Sequence, residues 1–177
     1  MDFLEFAKSR YSVRKFSDTQ IEEKKLNRIL EAGRAAPTAV NYQPQRILVL
    51  KTQEDLSKLS SCIAYHFNET LVLLVCYDKN ASWKRSFDKK DSGEIDASIV
   101  ATHMMLEAHD LGIGSTWVGH FDPQVIKKAF AIPQNIEPVA LLLLGYPGKD
   151  ALPSSNHNKR LDLDQTVFYS TFSASGQ

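Results

Sequence analysis

Cysteine is scarce in this chain and poorly placed for a structural role: Cys62 and Cys76 are the two cysteines among 177 residues, and they do not form a CxxC. No nearby Cys or His completes a zinc-ligand spacing, so a metal site is not expected, and a buried free thiol in a reducing, cytosolic setting is. Charge of one sign is missing too, since 21 Lys and Arg balance 21 Asp and Glu. The sequence pI is about 7.0. No global field then favours nucleic acid or an anionic membrane surface, and any anion must be bound locally. The chain also lacks a run of some 18 apolar residues, and Met1-Asp2-Phe3-Leu4-Glu5 carries no basic leader before an apolar core. A soluble, cytoplasmic protein is expected. Asn68-Glu69-Thr70 and Asn80-Ala81-Ser82 have the form of glycosylation acceptors, but without a secretory route they carry no meaning. Internal repeats and low-complexity tracts are absent.

What is present suits one well-buried domain over residues 1–177, with 43% of residues hydrophobic. Thr19-Gln20-Ile21-Glu22 has capping-box spacing, and Ile21, Leu26, Ile29 and Leu30 recur at near-helical intervals, predicting a helix over roughly 20–34. Arg46–Leu50 and Thr70–Tyr77 are near-continuous apolar runs, expected as central strands covered on both faces. A short helix from Gln53 to Cys62, entered through Thr52, lies between them. Ile95, Ile99, Val100, Met104, Leu106 and Leu111 define a helix over about 94–111 that stops at Gly112. Its apolar residues cover much of its circumference, so burial on two sides is expected, against its own core and a second subunit. Thr116-Trp117-Val118 reads as a strand, Asp122-Pro123 caps a further helix ending before Pro133, and Val139–Leu144 is a third apolar strand. Residues from about 149 to 177 are polar first and then carry Val167, Phe168, Tyr169 and Phe172. That composition suits a C-terminal arm that packs elsewhere rather than a disordered tail.

Four segments are candidates for chemistry. In Arg10-Tyr11-Ser12-Val13-Arg14-Lys15-Phe16, an extended backbone would put Arg10, Ser12 and Arg14 on one face, two guanidiniums and a hydroxyl able to grip a phosphate without a glycine-rich loop. A solvated basic turn is the plainer reading of the heptapeptide alone. Ala36-Pro37-Thr38-Ala39-Val40-Asn41-Tyr42-Gln43-Pro44 offers the Asn41 and Gln43 amides, suited to reading a heteroaromatic edge, in a loop stiffened by two prolines. A helix-to-strand connection whose amides satisfy its own backbone explains it equally well. Gly112-Ile113-Gly114-Ser115-Thr116-Trp117-Val118-Gly119 follows a helix and enters a strand, the reverse of a dinucleotide fingerprint, so a Rossmann site is excluded. Gly119 would still permit close approach of a flat ligand. Lys159-Arg160 is a late basic pair that, in isolation, reads as solvated.

Taken in order, these segments and Leu144-Gly145-Tyr146-Pro147 resemble the nitroreductase family of flavin enzymes, and the resemblance runs from Arg10 to Arg160. It implies an α+β fold, an α-β-α sandwich with a mainly antiparallel central sheet, forming an intertwined homodimer with flavin mononucleotide (FMN) at each end of the interface. By the same resemblance, Arg10 and Ser12, beside Tyr11, hold the phosphate, and Lys159 and Arg160 close on it. Arg14 approaches N1 and the C2 carbonyl of the ring. Pro37, Thr38 and Ala39 come from the other subunit, Asn41 and Gln43 bond the polar edge, and Thr116, Trp117, Val118 and Gly119 run past N5 and the dimethylbenzene side. Gln45 stands where many relatives carry an aromatic residue, and no acidic residue stands beside Val118-Gly119; both departures bear on substrate identity.

The implied activity is ping-pong reduction of nitroaromatics, quinones or similar small-molecule acceptors with NADH or NADPH, the flavin carrying the chemistry. Arg14 would compensate negative charge developing on the ring. Two other readings stand beside it, a specialised flavin-remodelling or dehalogenating relative and a non-enzymatic FMN-binding dimer. His103 and His109 read as core or interface residues. Trp83-Lys84-Arg85-Ser86-Phe87 reads as either a substrate lid or a plain surface loop.

Overall fold

The computed structural model describes residues 2–172; Met1 and residues 173–177, the end of the expected arm, lie outside them. The helices are α1 (Phe3–Ser9), α2 (Glu23–Ala35), α3 (Gln53–Ser60), α4 (Gly93–Asp110), α5 (Pro123–Ala129) and α6 (Leu163–Thr166). The strands are β1 (Gln45–Leu50), β2 (Leu71–Asp78), β3 (Gly114–Val118) and β4 (Ile136–Gly145). They form a sheet in the order β1-β2-β4-β3, antiparallel at each pairing.

β2 and β4 are central and contribute Leu71–Cys76 and Ala140–Leu144, runs buried on both faces of the sheet. Their alternate side chains separate two cores. Leu73, Val75, Leu142 and Leu144 pack under α2 and α4, and Val72, Leu74, Leu141 and Leu143 pack on the other side with Leu59 of α3 and Ile126 of α5. Helices therefore cover both faces of an antiparallel sheet, the α+β sandwich expected.

Local signals account for several of the boundaries. Thr52 and Asp55 form a reciprocal capping box on α3, and Asp122 caps α5 with Pro123 in its first turn. α4 ends at Gly112, whose φ of 74° is comfortable for glycine.

Two expectations fail. β1 lies at the sheet edge, and its burial alternates along Gln45–Val49, so it is covered on one face: Ile47 and Val49 pack on the core under α2 and α4, while Arg46 and Leu48 are exposed. The Thr19 capping box does not form either. Glu22 is the N-cap of α2 without a side-chain cap bond, and its carboxylate instead accepts the Tyr146 hydroxyl at 2.6 Å.

α4 buries one side in the core and carries apolar and polar residues together on the other. Ala97, Val100, Ala101, Met104 and Ala108 face the core, whereas Ile95 remains 53% exposed. Ile95, Ile99 and His103 border a depression of about 440 Å³, and His103 and Leu106 border another of about 520 Å³ with Phe3 and Phe6. Among the described residues, no helix is long and apolar enough to cross a membrane.

Candidate functional site

The opening basic segment is fixed to the sheet before it reaches the surface. Ser12 bridges Ser115 in parallel fashion, the Val13 N–H donates to the Ser115 carbonyl at 3.0 Å, and the Thr116 hydroxyl donates to the Val13 carbonyl. Val13 and Phe16 are buried in the second core. Anchored through those apolar side chains, the segment turns Arg10, Ser12 and Arg14 into one cleft, the shared face anticipated from alternation.

That cleft measures about 200 Å³ and is lined by Arg10, Tyr11, Ser12 and Arg14 together with Ser154, Asn156, His157 and Arg160. Arg160 reaches it through a turn in the arm, donating to the carbonyls of His157 and Lys159 at 2.6 and 2.8 Å. Lys159 is exposed and does not line the cleft. Tyr11 donates to the Ala151 carbonyl at 3.3 Å, which ties the arm to the basic segment.

Three guanidiniums thus converge, and none has a carboxylate partner among the described residues. Other basic side chains do find one, as in the Arg28–Glu107 contact at 2.7 Å and the Lys15–Asp150 contact at 2.9 Å. Burial lowers the Arg10 pKa, and the nearby Arg160 charge lowers it further. Arg10 nevertheless stays protonated at neutral pH, so the cleft is a standing excess of positive charge.

Behind Arg10 lies a smaller cavity of about 170 Å³, bordered by His109, Gly112, Ile113, Gly114 and Ser115. The Ser115 hydroxyl is buried there without a hydrogen-bond partner among the described residues. His109 Nε2 meets the Ser9 hydroxyl at 2.8 Å, and burial, followed by the Arg10 charge, lowers its pKa while Asp110 opposes. From its spacing His109 reads as a core or interface residue; its proximity to Arg10 depends on how α1 folds over the end of α4, which no local spacing encodes. Ser154, Asn156 and His157 were likewise missed as lining residues, although the polar turn before Lys159-Arg160 was a usable signal.

The amide loop stands elsewhere. A short 3₁₀ turn, Ala39–Asn41, is closed by Asn41 N–H to Thr38 carbonyl at 3.0 Å, and the Thr38 hydroxyl accepts the Gln43 N–H at 3.0 Å. The Gln43 side chain donates to the Asn41 carbonyl at 3.2 Å, the internal satisfaction that a plain connection would show. Among the described residues no hydrogen bond ties the Asn41 side-chain amide, and Pro37, Asn41 and Gln43 are exposed. Ala39 is bonded to Asp96 in the first turn of α4, whereas His109, beside the guanidinium cleft, sits at the helix's other end. At ~1.5 Å per residue, those two positions are about 20 Å apart along the axis.

Within one chain, therefore, the phosphate grip and the amide loop are not brought together. β3 places Thr116 and Val118 inward, both buried, with Trp117 packed against the other core and Gly119 exposed just past the strand end. The side chains of Thr116 and Val118 are turned into the structure, and Gly119 leaves exposed backbone beyond the strand.

The 83–91 segment is a closed turn: Lys84 bridges Asp91, Arg85 pairs with Asp88 and lies 5.2 Å over the Phe87 ring, and Phe87 is 82% exposed. It leads directly into α4, at the same end as the amide loop. Cys76 is buried, and burial pushes its thiol up to about 12, the profile of an inert core thiol. Among the described residues no cluster of His, Cys, Asp and Glu is arranged to hold a metal.

Comparison with known proteins gives this arrangement its context. A crystal structure of a nitroreductase family protein from Clostridium difficile 630 superposes with a TM-score of 0.91 at 44% identity, covering 97% of this chain and 99% of that one. An FMN-dependent nitroreductase from Clostridium difficile R20291 superposes with a TM-score of 0.78 at 28% identity over 96% of this chain and all (100%) of its own. A protein from Methanothermobacter thermautotrophicus, provisionally named NADH dehydrogenase/NAD(P)H nitroreductase, is 30% identical over 157 residues, 85% of this chain and 80% of its own. The nitroreductase family model matches residues 7–89 and 66–146. That match takes in the basic segment, the amide loop, the four strands and α4, and on it the chain belongs to the nitroreductase family.

Proposed function

We propose that this chain is an FMN-dependent oxidoreductase that draws reducing equivalents from NADH or NADPH and passes them to nitroaromatics, quinones or similar acceptors, working as a homodimer. The observation that carries the reading is the convergence of Arg10, Arg14 and Arg160, without a carboxylate partner among the described residues, on a cleft that Ser12 also lines. Such a group suits a dianionic monophosphate, because guanidinium forks match phosphate oxygens and the hydroxyl adds a neutral donor. The names of relatives, an FMN-dependent nitroreductase and an FMN reductase [NAD(P)H] from Bacillus subtilis among them, support the cofactor and the reductant.

The donor set fits FMN. Arg10, Ser12 and Arg160 would hold its phosphate, with Tyr11 fixing the arm that carries Arg160. Lys159, exposed beside Arg160, would contribute long-range attraction. Arg14 would provide positive charge at the N1 and C2 oxygen side of the ring, and the free Asn41 amide with Gln43 would bond the ring's polar edge. When bound, FMN supplies the hydride chemistry, accepting from the nicotinamide and delivering to the acceptor in turn.

The remaining tasks belong to the chain. Arg14 places its charge without any reorganisation at the moment of reaction, which makes it an electrostatic contributor rather than a nucleophile or a base. Since about 20 Å of α4 separate the phosphate grip from the loop of Pro37, Thr38, Ala39, Asn41 and Gln43, a second copy would complete the site. The apolar face of α4 at Ile95, Ile99 and Leu106, together with exposed Phe3, offers the surface for that pairing.

Steady-state oxidation of NADH and NADPH by the purified, FMN-loaded protein, with a nitroaromatic or a quinone present, tests the enzymatic reading. Turnover dependent on the acceptor is expected. Tight flavin with no turnover of any acceptor would leave a non-enzymatic flavin protein.

A further inference from the structure

Asp96 lies in the first turn of α4 and is 2% exposed, and no cation pairs with it among the described residues. A carboxylate in such a position is tolerated when donors surround its oxygens. Here Oδ1 accepts the Ala39 N–H at 2.8 Å and Oδ2 accepts the Ser92 hydroxyl at 2.8 Å. One oxygen is thus oriented from its own helix start, and the other holds a residue 57 positions away in sequence.

The held loop is one that does not rest easily. Val40, Asn41 and Gln43 have φ of 52°, 55° and 51°, a region that asparagine enters readily and a β-branched valine does not. Strained backbone persists where its surroundings over-determine it. The internal bonds from Thr38 close the turn on itself, but they do not fix it to the body of the protein. Two side chains do: Arg46 of β1 donates to the Gln43 carbonyl at 3.3 Å at the exposed end of the loop, and the part-buried Asp96 contact holds its start at Ala39.

We infer that Asp96 is the positioning residue that holds the 38–43 loop in the strained form that presents the Asn41 and Gln43 amides to the flavin ring. The presentation half of this assignment rests on the flavin reading above; the holding half rests on the geometry alone. Asp96 touches neither cofactor nor substrate. It acts through Ala39, and Ser92 sets its orientation.

The test is hydrogen exchange on the full-length protein without added flavin, followed by FMN titration of the same samples. In Asp96→Ala the amides of residues 38–43 should exchange about tenfold to a hundredfold faster, the factor expected for losing a charge-assisted hydrogen bond, while the β2 and β4 amides stay protected. FMN should bind about tenfold more weakly. Asp96→Asn keeps an oxygen for Ala39 and an amide for Ser92, so it should restore most of both. Should Asp96→Ala not fold, Ser92→Ala carries the test. It retains the carboxylate, removes the hydroxyl that orients it, and should speed exchange at 38–43 severalfold.

Unchanged exchange at 38–43, or loosening spread evenly over the molecule, would overturn the assignment and leave Asp96 a helix-end stability residue. A wild-type protein that takes up no FMN would instead remove the flavin reading and the presentation half with it. Faster exchange confined to the loop would still establish the holding half.

Discussion

Arg10 is held where two influences work against its charge, partial burial and a second guanidinium nearby. A folded protein that keeps such a residue unpaired concentrates positive potential at one spot, and an anion arriving there relieves both costs together. Arg10→Ala should therefore weaken FMN binding about tenfold to a hundredfold, the range expected for a lost charge-assisted bond, as read by flavin fluorescence titration. Arg14 belongs to a different part of the ligand in this account. Arg14→Ala should cost turnover on the order of 3 kcal/mol in the transition state while flavin retention changes less, and the reverse pattern would reject its role. His109 provides a reporter of the same field. Its pKa is lowered by burial and then by Arg10, so inorganic phosphate or FMN bound at the cleft should raise it by cancelling the Arg10 contribution. The sign is definite: anion binding moves the His109 titration to higher pH. An NMR titration of the imidazole with and without phosphate measures it, and an unmoved His109 would place the anion elsewhere.

Among the elements, β3 connects the fold to the cleft. A Cβ at Gly114 would approach Val13 Cγ2 to 2.6 Å and Val13 Cβ to 2.9 Å, so the strand and the basic segment meet at backbone distance. Gly114→Ala should lower stability by about 1–3 kcal/mol through overpacking and displace the 10–16 segment, weakening FMN binding without altering any residue that touches it. Denaturant melts paired with FMN titration would separate the two effects. How much was legible in the sequence follows the range of each interaction. Thr52, Asp122-Pro123 and Gly112 act within a turn of chain, and the boundaries they mark agree with the structure. Arg10, Ser12 and Arg14 were read as one face because alternation is local, and they do share the cleft. Burial of β1 depends on whether a helix lies over each of its faces, which its own residues do not encode. Thr19 had the right spacing for a cap, but Glu22 was drawn instead to Tyr146, a residue remote in sequence. Asp96 and His109 escaped for the same reason, since each owes its part to a distant partner.

On the scale of the whole molecule, α4 decides what one chain can do. It is 18 residues long, with the guanidinium cleft near its C-terminal end and the amide loop tied to its first turn. Its outward side sets Ile95, Ile99 and Leu106 among Glu94, Ser98, Thr102 and Glu107, and the arm beyond residue 160 exposes Leu161, Leu163, Tyr169 and Phe172. Surfaces of this kind suit association with a second copy, which would bring the loop of one chain to the cleft of the other. Ile95→Glu alters a half-exposed position, so it should give a folded protein that sediments as a monomer and loses FMN. A folded monomer that retains FMN at full affinity would show that one chain suffices. The central claim, that the basic cleft is half of an FMN site, is tested most directly by titrating the purified protein with FMN beside Arg10→Ala and following the flavin absorption band. Saturable binding at one FMN per chain is expected, weakened at least tenfold in the variant. A colourless wild-type protein that leaves the FMN spectrum unchanged, or equal affinity in the two proteins, would contradict it.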